Sequence, residues 1–447
     1  MSFPKTIFWQ RYKPDAKWDL RRVVHLHRRA GFAANWSEIQ RDLKDGFTVS
    51  VDRLLHANSS SNTGSDELTQ TIGDAAMLSG NASRLKAWWL LRMLKSADPL
   101  GERLTLMWHN HFATSNRKVQ DLRFMREQNE LFRHHARAPF ADLLTAVVKH
   151  PAMLSWLDAD SNRKSHPNEN LGRELLELFT LGVGNYSESD VKNAARALTG
   201  WTIVDDKFGF REKRHDDTAK KILGTSAEFT GDDLLKLLLK QPATARRIAW
   251  RLCRTFMGEG VVSDDAIDEL ATGLADNELN IGWAVETILR SGVFYSEANI
   301  RSHVLGPVEY LVGVIRNLEL CDSPPSTLVL AEWVSRMGQD LFYPPNVGGW
   351  NEGRSWLATR TVIARANFAH ALAAGKLWHP LQKPDVDSLF KQYETGDQTI
   401  TQWLANLFWG DAPKSVIDKI KSNENTANGE NHSVVSQLLT RPEHHLA

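Results

Sequence analysis

The sequence predicts a mainly α-helical fold, a large multi-helix bundle with one small β-hairpin or extended flap near residues 201–224. Apolar residues recur with the helical period of about 3.6 residues along most of the chain. The stretch WTIVDDKFGFREKRH alternates apolar and polar residues instead, which is the period of a β-strand. No repeat of fixed length is visible, and this argues against a solenoid.

The predicted helices before the flap follow one another with short connections. The first, Ala16–Arg29, stops at Gly31, because glycine readily adopts the conformation that closes a helix. Asn168–Leu181 and Asp190–Leu198 each begin with a side chain that can cap the free amides of the first turn. The remaining predicted helices are Trp36–Leu43, Val49–His56, Leu85–Leu94, Leu100–Phe112, Leu122–His135 and Phe140–Val148.

The helical period resumes after the flap. Between Leu328–Met337 and Arg354–Ala373 lies YPPNVGGWNEG, whose prolines and glycines exclude a helix. We expect a single domain over residues 1–447, with an alternative of two helical lobes, 1–200 and 230–447, joined by a flap at 201–229. The other predicted helices are Asp232–Lys240, Ala243–Met257, Asp264–Ala275, Trp283–Arg290 and Val304–Leu318, with three weaker ones in the tail.

The composition excludes several classes of protein. Lys plus Arg and Asp plus Glu both number 54, so the formal net charge is zero and we expect no nucleic-acid partner. Hydrophobic residues make up 42%, which argues against a largely disordered or fibrous chain. The two cysteines, Cys253 and Cys321, cannot form a disulfide framework and lack the spacing of a zinc ribbon.

Membrane and export signals are not visible in the sequence. No apolar stretch approaches the roughly 20 residues that a membrane-spanning helix needs, so we expect no membrane span. The stretch MSFPKTIFWQRYKPDAKWDLRR lacks the apolar segment and small-residue cleavage site of a secretory signal. We therefore favour a cytoplasmic location. A periplasmic or exported location stays open, because a processed chain has lost its signal.

The densest polar segment is LDADSNRKSHPNENLGRELLELFTLG. In its predicted helix, Asn170, Glu174 and Glu177 follow at helical spacing along one stripe. Carboxylates one turn apart can share a metal, or one can be held protonated and act as an acid. Glu174, Glu177 and Arg173 are therefore candidate catalytic residues, and Asn168 and Asn170 are candidates for substrate binding. The alternative is an exposed lattice of Glu and Arg salt bridges.

The loop before this helix has the ligand spacing of a calcium-binding loop. Asp158, Asp160 and Asn162 alternate, and Glu169 stands at the twelfth position counted from Asp158. The sixth position, where such a loop must turn sharply, is Arg163 rather than glycine. Asp158, Asn162 and Glu169 are candidate metal ligands. The alternative is a loop of Asx turns that caps the next helix.

Two histidines, His109 and His111, lie two residues apart in LTLMWHNHFATS. In a continuous helix their side chains point about 200° apart and cannot bind one metal ion together. Shared ligation requires the helix to fray after Trp108. Both are candidate metal ligands, and His111 is also a candidate catalytic acid. The alternative is that each is a core histidine with a polar partner.

The flap and the proline-glycine loop supply further candidates. Cationic side chains are dense around His215, Asp216 and Lys220, which suits capture of an anionic group such as phosphate, sulfate or carboxylate. A solvated run of charges is the alternative. In the loop, Trp350 offers a flat surface of the kind that stacks on sugar rings or bases, and a core tryptophan is the alternative.

Several segments together resemble the bacterial "domain of unknown function" family numbered 1800. They are, in order, MWHNHFATS, LDADSNRKSHPNENLGRELLELFTLGVGNYSESDVKNAARALTGW, HDDTAKKILG, QPATARRIAWRLCRTF and PPNVGGW. The resemblance runs from Arg28–Phe32 to the closing LLTRPEHHLA, nearly the whole chain. It implies one long, predominantly helical domain but no particular reaction. Members often lie beside genes for a sulfatase-like protein, and many are exported.

The motif positions of the family coincide with the polar candidates. The resemblance therefore implies that these residues share one cleft. The positions are His109, Asn110, His111, Asn168, Glu169, Asn170, Arg173, Glu174, Glu177, Arg196, Trp201, His215, Asp216, Lys220, Asn346 and Trp350.

We hypothesise an enzyme that acts on an anionic or carbohydrate-like substrate, a hydrolase or transferase that uses a divalent metal ion. Glu174 or Glu177 would be the general base or a metal ligand, and His111 or His109 a ligand or acid. The competing hypothesis is a non-catalytic binding or assembly protein that partners the sulfatase-like neighbour, with the polar motif as a buried network. Candidates for binding the substrate, including an anion clamp shared with Arg173, are Asn168, Asn170, Arg196, Trp201, His215, Asp216, Lys220, Asn346 and Trp350.

Overall fold

The computed structural model of the chain describes residues 7–13, 17–57, 63–393, 396–424 and 431–447. It is 60% helical. The strands in these described ranges are short and form two separate hairpins. The prediction of a mainly α protein with a small β element is therefore confirmed.

Most helices up to the flap begin at a side chain that accepts from a free amide of the first turn, while α8 and α10 have no such cap. Asp19 accepts from the Arg22 amide at the start of α1, and Asn35 and Glu38 cap α2 reciprocally. These helices are α1 Leu20–Ala30, α2 Trp36–Leu55, α3 Thr63–Leu78, α4 Ala82–Lys95, α5 Pro99–His111, α6 Asn116–Val119, α7 Leu122–His134, α8 Phe140–Val148, α9 Pro151–Trp156, α10 Asn170–Glu174 and α11 Glu188–Ala197.

The helices after the flap complete the fold. Thr230 and Asp233 form a capping box at the start of α12. The helices are α12 Gly231–Leu239, α13 Pro242–Phe256, α14 Asp264–Asp276, α15 Ile281–Leu289, α16 Pro307–Asn317, α17 Thr327–Arg336, α18 Thr359–Ala373, α19 Val386–Gln392, α20 Ile400–Trp409, α21 Lys414–Glu424 and α22 Asn431–Leu439.

The flap consists of two hairpins instead of the single one expected. Strands β1 Trp201–Val204 and β2 Lys207–Phe210 pair antiparallel, and so do β3 Lys220–Ile222 and β4 Thr225–Ala227. Each hairpin turns through two residues with positive φ, 47° and 62° in the first and 49° and 82° in the second. Such two-residue turns match the twist of the strands that they join.

The buried apolar residues form two large clusters. The first is built mainly from helices α5 to α15, and the second from α4 and the helices after residue 300. Helix α5 lies between them, since Leu104 and Trp108 belong to the first cluster and Leu106 belongs to the second. Packing clusters do not by themselves define domains, so the division into lobes at 201–229 stays a prediction.

A search for membrane-crossing helices is negative for the described part of the chain. None of its helices combines the length and the apolar character that a bilayer span requires.

Candidate functional site

The helix that carries the two candidate glutamates changes its pitch at Glu174. Helix α10 runs on into a π-helical turn, Leu175–Thr180, in which the Leu181 amide donates to the Leu176 carbonyl at 3.0 Å. Gly172 allows close packing, because a Cβ there would lie 3.0 Å from the Ala195 amide nitrogen. The sequence predicted a regular helix over residues 168–181 and did not predict this wider turn. Single π-turns are rare and occur often at functional sites.

Side chains from distant helices bind the carbonyls at the end of this turn. Nε2 of His111 lies 3.1 Å from the Phe179 carbonyl oxygen. A carbonyl can only accept, so Nε2 carries the proton. Nε of Arg247 donates to the Leu178 carbonyl at 3.2 Å. These carbonyls would otherwise lack partners at a helix end. His111 therefore positions the glutamate-bearing turn from its buried face.

Glu174 has an unusual environment for a glutamate. Burial and the neighbouring Glu177 carboxylate raise the pKa of Glu174 to about 7, while Arg173 opposes the rise. Within the described residues its carboxyl has no hydrogen-bond partner, and the side chain is half-buried. A carboxyl with this pKa is partly protonated at neutral pH and can act as either acid or base.

Glu177 differs from Glu174 because it is held by partners. Its carboxylate accepts a hydrogen bond of 2.5 Å from the Tyr186 hydroxyl. Burial, this bond and the charge of Glu177 together raise the pKa of Tyr186 to about 12. The Arg247 guanidinium and the Glu177 carboxylate also attract each other electrostatically. Two carboxyls three residues apart therefore have contrasting surroundings, an arrangement that can separate acid and base roles.

A large groove begins where the π-turn ends. We call it the α13 groove; its volume is about 1300 Å³. Trp250 forms part of its wall, with the Arg247 guanidinium 4.7 Å and the Arg254 guanidinium 5.6 Å from its ring centroid. Charged side chains of both signs and a larger share of apolar side chains line the rest. Among the lining residues are Leu181, Gly182, Asn185, Lys236, Lys240, Gln241, Arg246, Arg247, Asp268, Asp276 and Glu278.

His109 lies in an aromatic enclosure away from the glutamates. Helix α5 continues through His111, so the fraying that joint ligation requires does not occur. The ring of His109 contacts Trp89, Phe132 and Trp350, with ring centroids 5.3, 6.0 and 5.4 Å away. Burial lowers the pKa of His109 to about 3, so the imidazole is neutral at physiological pH. Its Nε2 is buried with no hydrogen-bond partner.

Asn110 joins helix α5 to the proline-glycine loop. Its Oδ1 accepts from the Trp350 amide at 2.7 Å, and its Nδ2 donates to Glu352 Oε1 at 2.7 Å. Arg251 donates two hydrogen bonds, of 2.8 and 3.0 Å, to the same carboxylate. Burial alone would raise the pKa of Glu352, but the two arginines Arg251 and Arg254 hold it below its usual range. We call this closed network the Asn110 junction.

The calcium-like loop forms internal contacts. The buried Asn162 donates to the Ala195 carbonyl at 2.9 Å and accepts from the Asn168 amide at 2.9 Å. Asp158 pairs with Lys118 at 2.7 Å and accepts from Asn170 at 3.2 Å. The Asn170 amide also donates to Asn168 Oδ1 at 2.9 Å, a contact that fits the alternative of an Asx-turn loop.

Arg173 belongs to an exposed ion-pair lattice. Its guanidinium donates to both oxygens of Glu188 at 2.8 Å and to Glu169 at 3.1 Å. These carboxylates occupy the donors that an anion clamp would need. The alternative of a surface lattice therefore describes Arg173 and Glu169, whereas Glu174 and Glu177 lie outside it.

The polar residues of the flap bind one another. Arg196 donates to Asp216 at 2.7 Å, and burial, which raises the pKa of Asp216, is outweighed by Arg196 and Thr218, which hold it well below its usual range. Nδ1 of His215 lies 2.8 Å from the Thr199 carbonyl oxygen. The buried Lys220 donates to the carbonyls of Asp216 and Thr218. These contacts fold the hairpins onto α11.

Trp201 and Asn346 also have structural contacts. The Trp201 ring is buried against Gly231, where a Cβ would lie 2.3 Å from a ring carbon. Asn346 is exposed, and its Oδ1 accepts from the Gly348 amide at 2.9 Å within the loop. Trp350 is 4% exposed and packs on His109, so its ring is not a surface platform.

The five predicted metal ligands lie in separate places. His109 and His111 have aromatic neighbours, Asp158 and Glu169 have cationic partners, and Asn162 binds backbone. No group of three or more His, Cys, Asp or Glu side chains suited to a metal ion occurs in the described part of the chain. The metal assignment stays a prediction without geometric support.

Comparison with known families is decisive for classification. The family model "Protein of unknown function (DUF1800)" matches residues 25–446. The chain belongs to this family. No curated protein and no solved structure matches the chain. The residues that carried the resemblance lie in four places, namely the Asn110 junction, the loop and ion-pair lattice before the π-turn, the glutamates at the π-turn and the flap.

Three residues important to this geometry were missed by sequence reasoning. They are Arg247 and Trp250, which lie outside the segments that supplied candidates, and Glu352, which lies in the proline-glycine loop but was not chosen. The signal for Arg247 and Trp250 was the segment QPATARRIAWRLCRTF, which carried the family resemblance. Its three-residue spacing places both side chains on one face of α13. The signal for Glu352 was its place in YPPNVGGWNEG, two residues after the candidate Trp350.

Proposed function

We propose that the chain is an enzyme in which Glu174 and Glu177 act as an acid-base pair on an anionic or carbohydrate-like substrate held in the α13 groove. The observation that carries the proposal is the contrast between two carboxyls, one on Glu174 just before the π-turn and one on Glu177 within it. Glu174 lacks a hydrogen-bond partner within the described residues, whereas Glu177 accepts from Tyr186 at 2.5 Å. Such pairs support transfer of a proton to a leaving group and activation of a nucleophile.

The groove supplies the binding surface in this proposal. Trp250 offers an aromatic face for a sugar ring, and Lys236, Lys240 and Arg247 offer cations for carboxylate, phosphate or sulfate groups. Arg247 connects the groove with the glutamate-bearing turn. It lines the groove, donates to the Leu178 carbonyl and interacts electrostatically with Glu177. His111 is a positioning residue here, since it holds the Phe179 carbonyl.

The test uses the full chain and nitrophenyl probes that carry glycoside, phosphate or sulfate groups. The proposal expects turnover of at least one probe and a loss of about 100-fold or more in Glu174→Gln and Glu177→Gln. Glu228→Gln, an exposed carboxyl on the flap, is the matched control and should keep the wild-type rate. Full activity in both site variants, or no turnover of any probe, would contradict the acid-base assignment.

A second candidate is a binding protein whose groove holds a polysaccharide, or a sulfatase-like partner, without chemistry. The closed Asn110 junction favours this candidate, because there the family motif fixes loop geometry and leaves no reactive group free. Binding of an acidic polysaccharide separates the two functions. Loss of binding in Trp250→Ala, with no turnover and no effect of Glu174→Gln, would favour the binding protein.

A further inference from the structure

The base of the flap and the loop before α10 carry cationic side chains that no ion pair neutralises. Residues 161–168 and 210–215 contain five Arg and Lys but only one carboxylate, Glu212. Four of the cations are exposed and the fifth, Arg214, is half-buried. In a chain whose formal net charge is zero, this is a local excess of positive charge. We call these side chains the flap cations; they are Arg163, Lys164, Arg211, Lys213 and Arg214.

Backbone hydrogen bonds join the two segments that carry the flap cations. The Lys164 amide donates to the Arg214 carbonyl at 2.8 Å, and the Gly200 amide donates to the Asn162 carbonyl at 3.2 Å. At the base of the flap, the Arg211 amide donates to the Gly200 carbonyl at 2.8 Å. The hydrogen-bonded backbone therefore holds the cations close together, and a ligand that binds them does not have to order the chain first.

The flap cations differ from the neighbouring charged side chains because they have no partner. Within the described residues, none of them makes an ion pair or donates a side-chain hydrogen bond. By contrast, Arg196 is paired with Asp216 at 2.7 Å, and Arg173 is paired with Glu188 at 2.8 Å. None of the flap cations is among the residues that line the α13 groove. Their donors are therefore available to a ligand outside the proposed substrate groove.

An aromatic ring stands next to the flap cations. Phe210 ends β2 directly before Arg211, and it is 50% exposed. Its ring packs against the buried His215, with the ring centroids 5.5 Å apart. The exposed part of the Phe210 ring is a flat apolar surface of the kind that packs on a sugar ring.

The composition of this surface separates three classes of polyanion. A membrane-binding surface combines cations with several exposed apolar side chains, but the two segments contain no Leu, Ile, Val or Met. Single-stranded nucleic acid stacks on several aromatic rings, whereas Phe210 is the one Phe, Tyr or Trp in these segments. One ring beside guanidinium groups suits a chain of acidic sugars, because guanidinium binds oxyanions with parallel hydrogen bonds.

We propose that the flap cations bind an acidic polysaccharide, with its carboxylate or sulfate groups on Arg163, Arg211 and Lys213 and a sugar ring against Phe210. The surface includes the loop that leads into α10, and it anchors the polymer separately from the α13 groove. The proposal does not depend on the acid-base pair, so either assignment can fail without the other.

The test measures binding of three polysaccharides to the full chain by titration calorimetry at about 150 mM salt. They are dextran sulfate, neutral dextran with the same backbone, and polygalacturonate. We expect at least one of the two acidic polymers to bind and neutral dextran not to bind. The two acidic polymers distinguish sulfate from carboxylate recognition. Binding should weaken as the salt concentration rises, because contacts between opposite charges release counterions.

Three cations and the ring are then changed separately. The triple variant Arg163→Gln, Arg211→Gln, Lys213→Gln should weaken binding at least about tenfold. Phe210→Ala keeps every cation and should weaken binding about threefold. A control triple variant removes the same charge from exposed cations elsewhere and should weaken binding less than about threefold. The control changes are Lys44→Gln, Arg336→Gln and Lys414→Gln.

Several results would overturn the proposal. Absence of binding by both acidic polymers is one, and equal weakening in the two triple variants is another. Binding that ignores Phe210→Ala, or that phosphatidylglycerol vesicles or single-stranded DNA match in affinity, would overturn the ligand class. The flap triple variant should keep the wild-type rate on the small nitrophenyl probes, which separates a failure of this proposal from a failure of the proposed enzyme.

Discussion

The Asn110 junction and the π-turn both contain motif residues with chemically capable side chains, yet they differ in how those side chains are used. In the junction every polar group of Asn110 and Glu352 is bound by a neighbour. Directly before the π-turn the Glu174 carboxyl has no such partner within the described chain, and its pKa is about 7. Saturated buried polar groups give specificity and stability, while an unsatisfied titratable group is available for chemistry.

The largest expected effect is a loss of stability when the Asn110 junction is disrupted. Asn110→Ala leaves the buried Trp350 amide without an acceptor and removes one donor from Glu352. We expect a loss of about 3 kcal/mol in the free energy of unfolding. Urea denaturation measures it. The matched control is Asn170→Ala, an exposed asparagine with one side-chain bond of 3.2 Å, which should cost about 0.5 kcal/mol or less. Equal costs would remove the contrast between the two regions.

An intermediate effect concerns acid stability at His109. Because burial lowers the pKa of His109 to about 3, the unfolded chain takes up a proton below its own pKa of about 6.5 before the folded chain does. Stability therefore falls as the pH falls from 6.5 towards 3. Between pH 6.5 and 5 the wild type should lose about 2 kcal/mol more than His109→Phe.

Denaturation curves at several pH values check this expectation. His166→Phe, at an exposed histidine, is the control and should follow the wild type. If His109→Phe also follows the wild type, the imidazole is not held neutral in its aromatic enclosure.

The smallest effect is expected at Glu174. Its folded pKa of about 7 exceeds the unfolded value, so the folded chain holds a proton that the unfolded chain has released, and stability falls as the pH rises from about 4.5 to 7. Glu174→Gln should remove about 1 kcal/mol of this decline, a figure reduced for solvent screening at a half-buried group. The variant should thus gain stability over the wild type at pH 7 relative to pH 5. An unchanged slope, the result expected for Glu228→Gln, would contradict the assignment.

The sequence predicted the fold class well because it depends on local periodicity. Helix α5 was expected over residues 100–112 and is found at Pro99–His111. The angle between His109 and His111 followed from that helix alone, and so did their separate environments. The second hairpin was missed because its turn, Leu223–Gly224, carries a leucine at positive φ, which composition does not signal.

The candidate site could be predicted only in part. Glu174 and Glu177 were chosen from their spacing, but the π-turn depends on His111 and Arg247, which bind its carbonyls from remote parts of the chain. The motif residues were expected to meet in one cleft, but they lie in separate places. The residue type alone does not show whether a side-chain amide is already hydrogen-bonded to its neighbours in the fold. Tertiary contacts satisfy the hydrogen bonds of the Asn110 side chain, whereas the Glu174 carboxyl has no such contact within the described residues.

The most direct measurement is a carbon-13 NMR titration of the glutamate side-chain carboxyls in the wild type and in Glu174→Gln. The account predicts one resonance that titrates near pH 7 in the wild type and is missing in the variant. If every glutamate carboxyl titrates below about pH 5.5, Glu174 carries no proton at neutral pH, and Glu174 and Glu177 do not form the proposed acid-base pair.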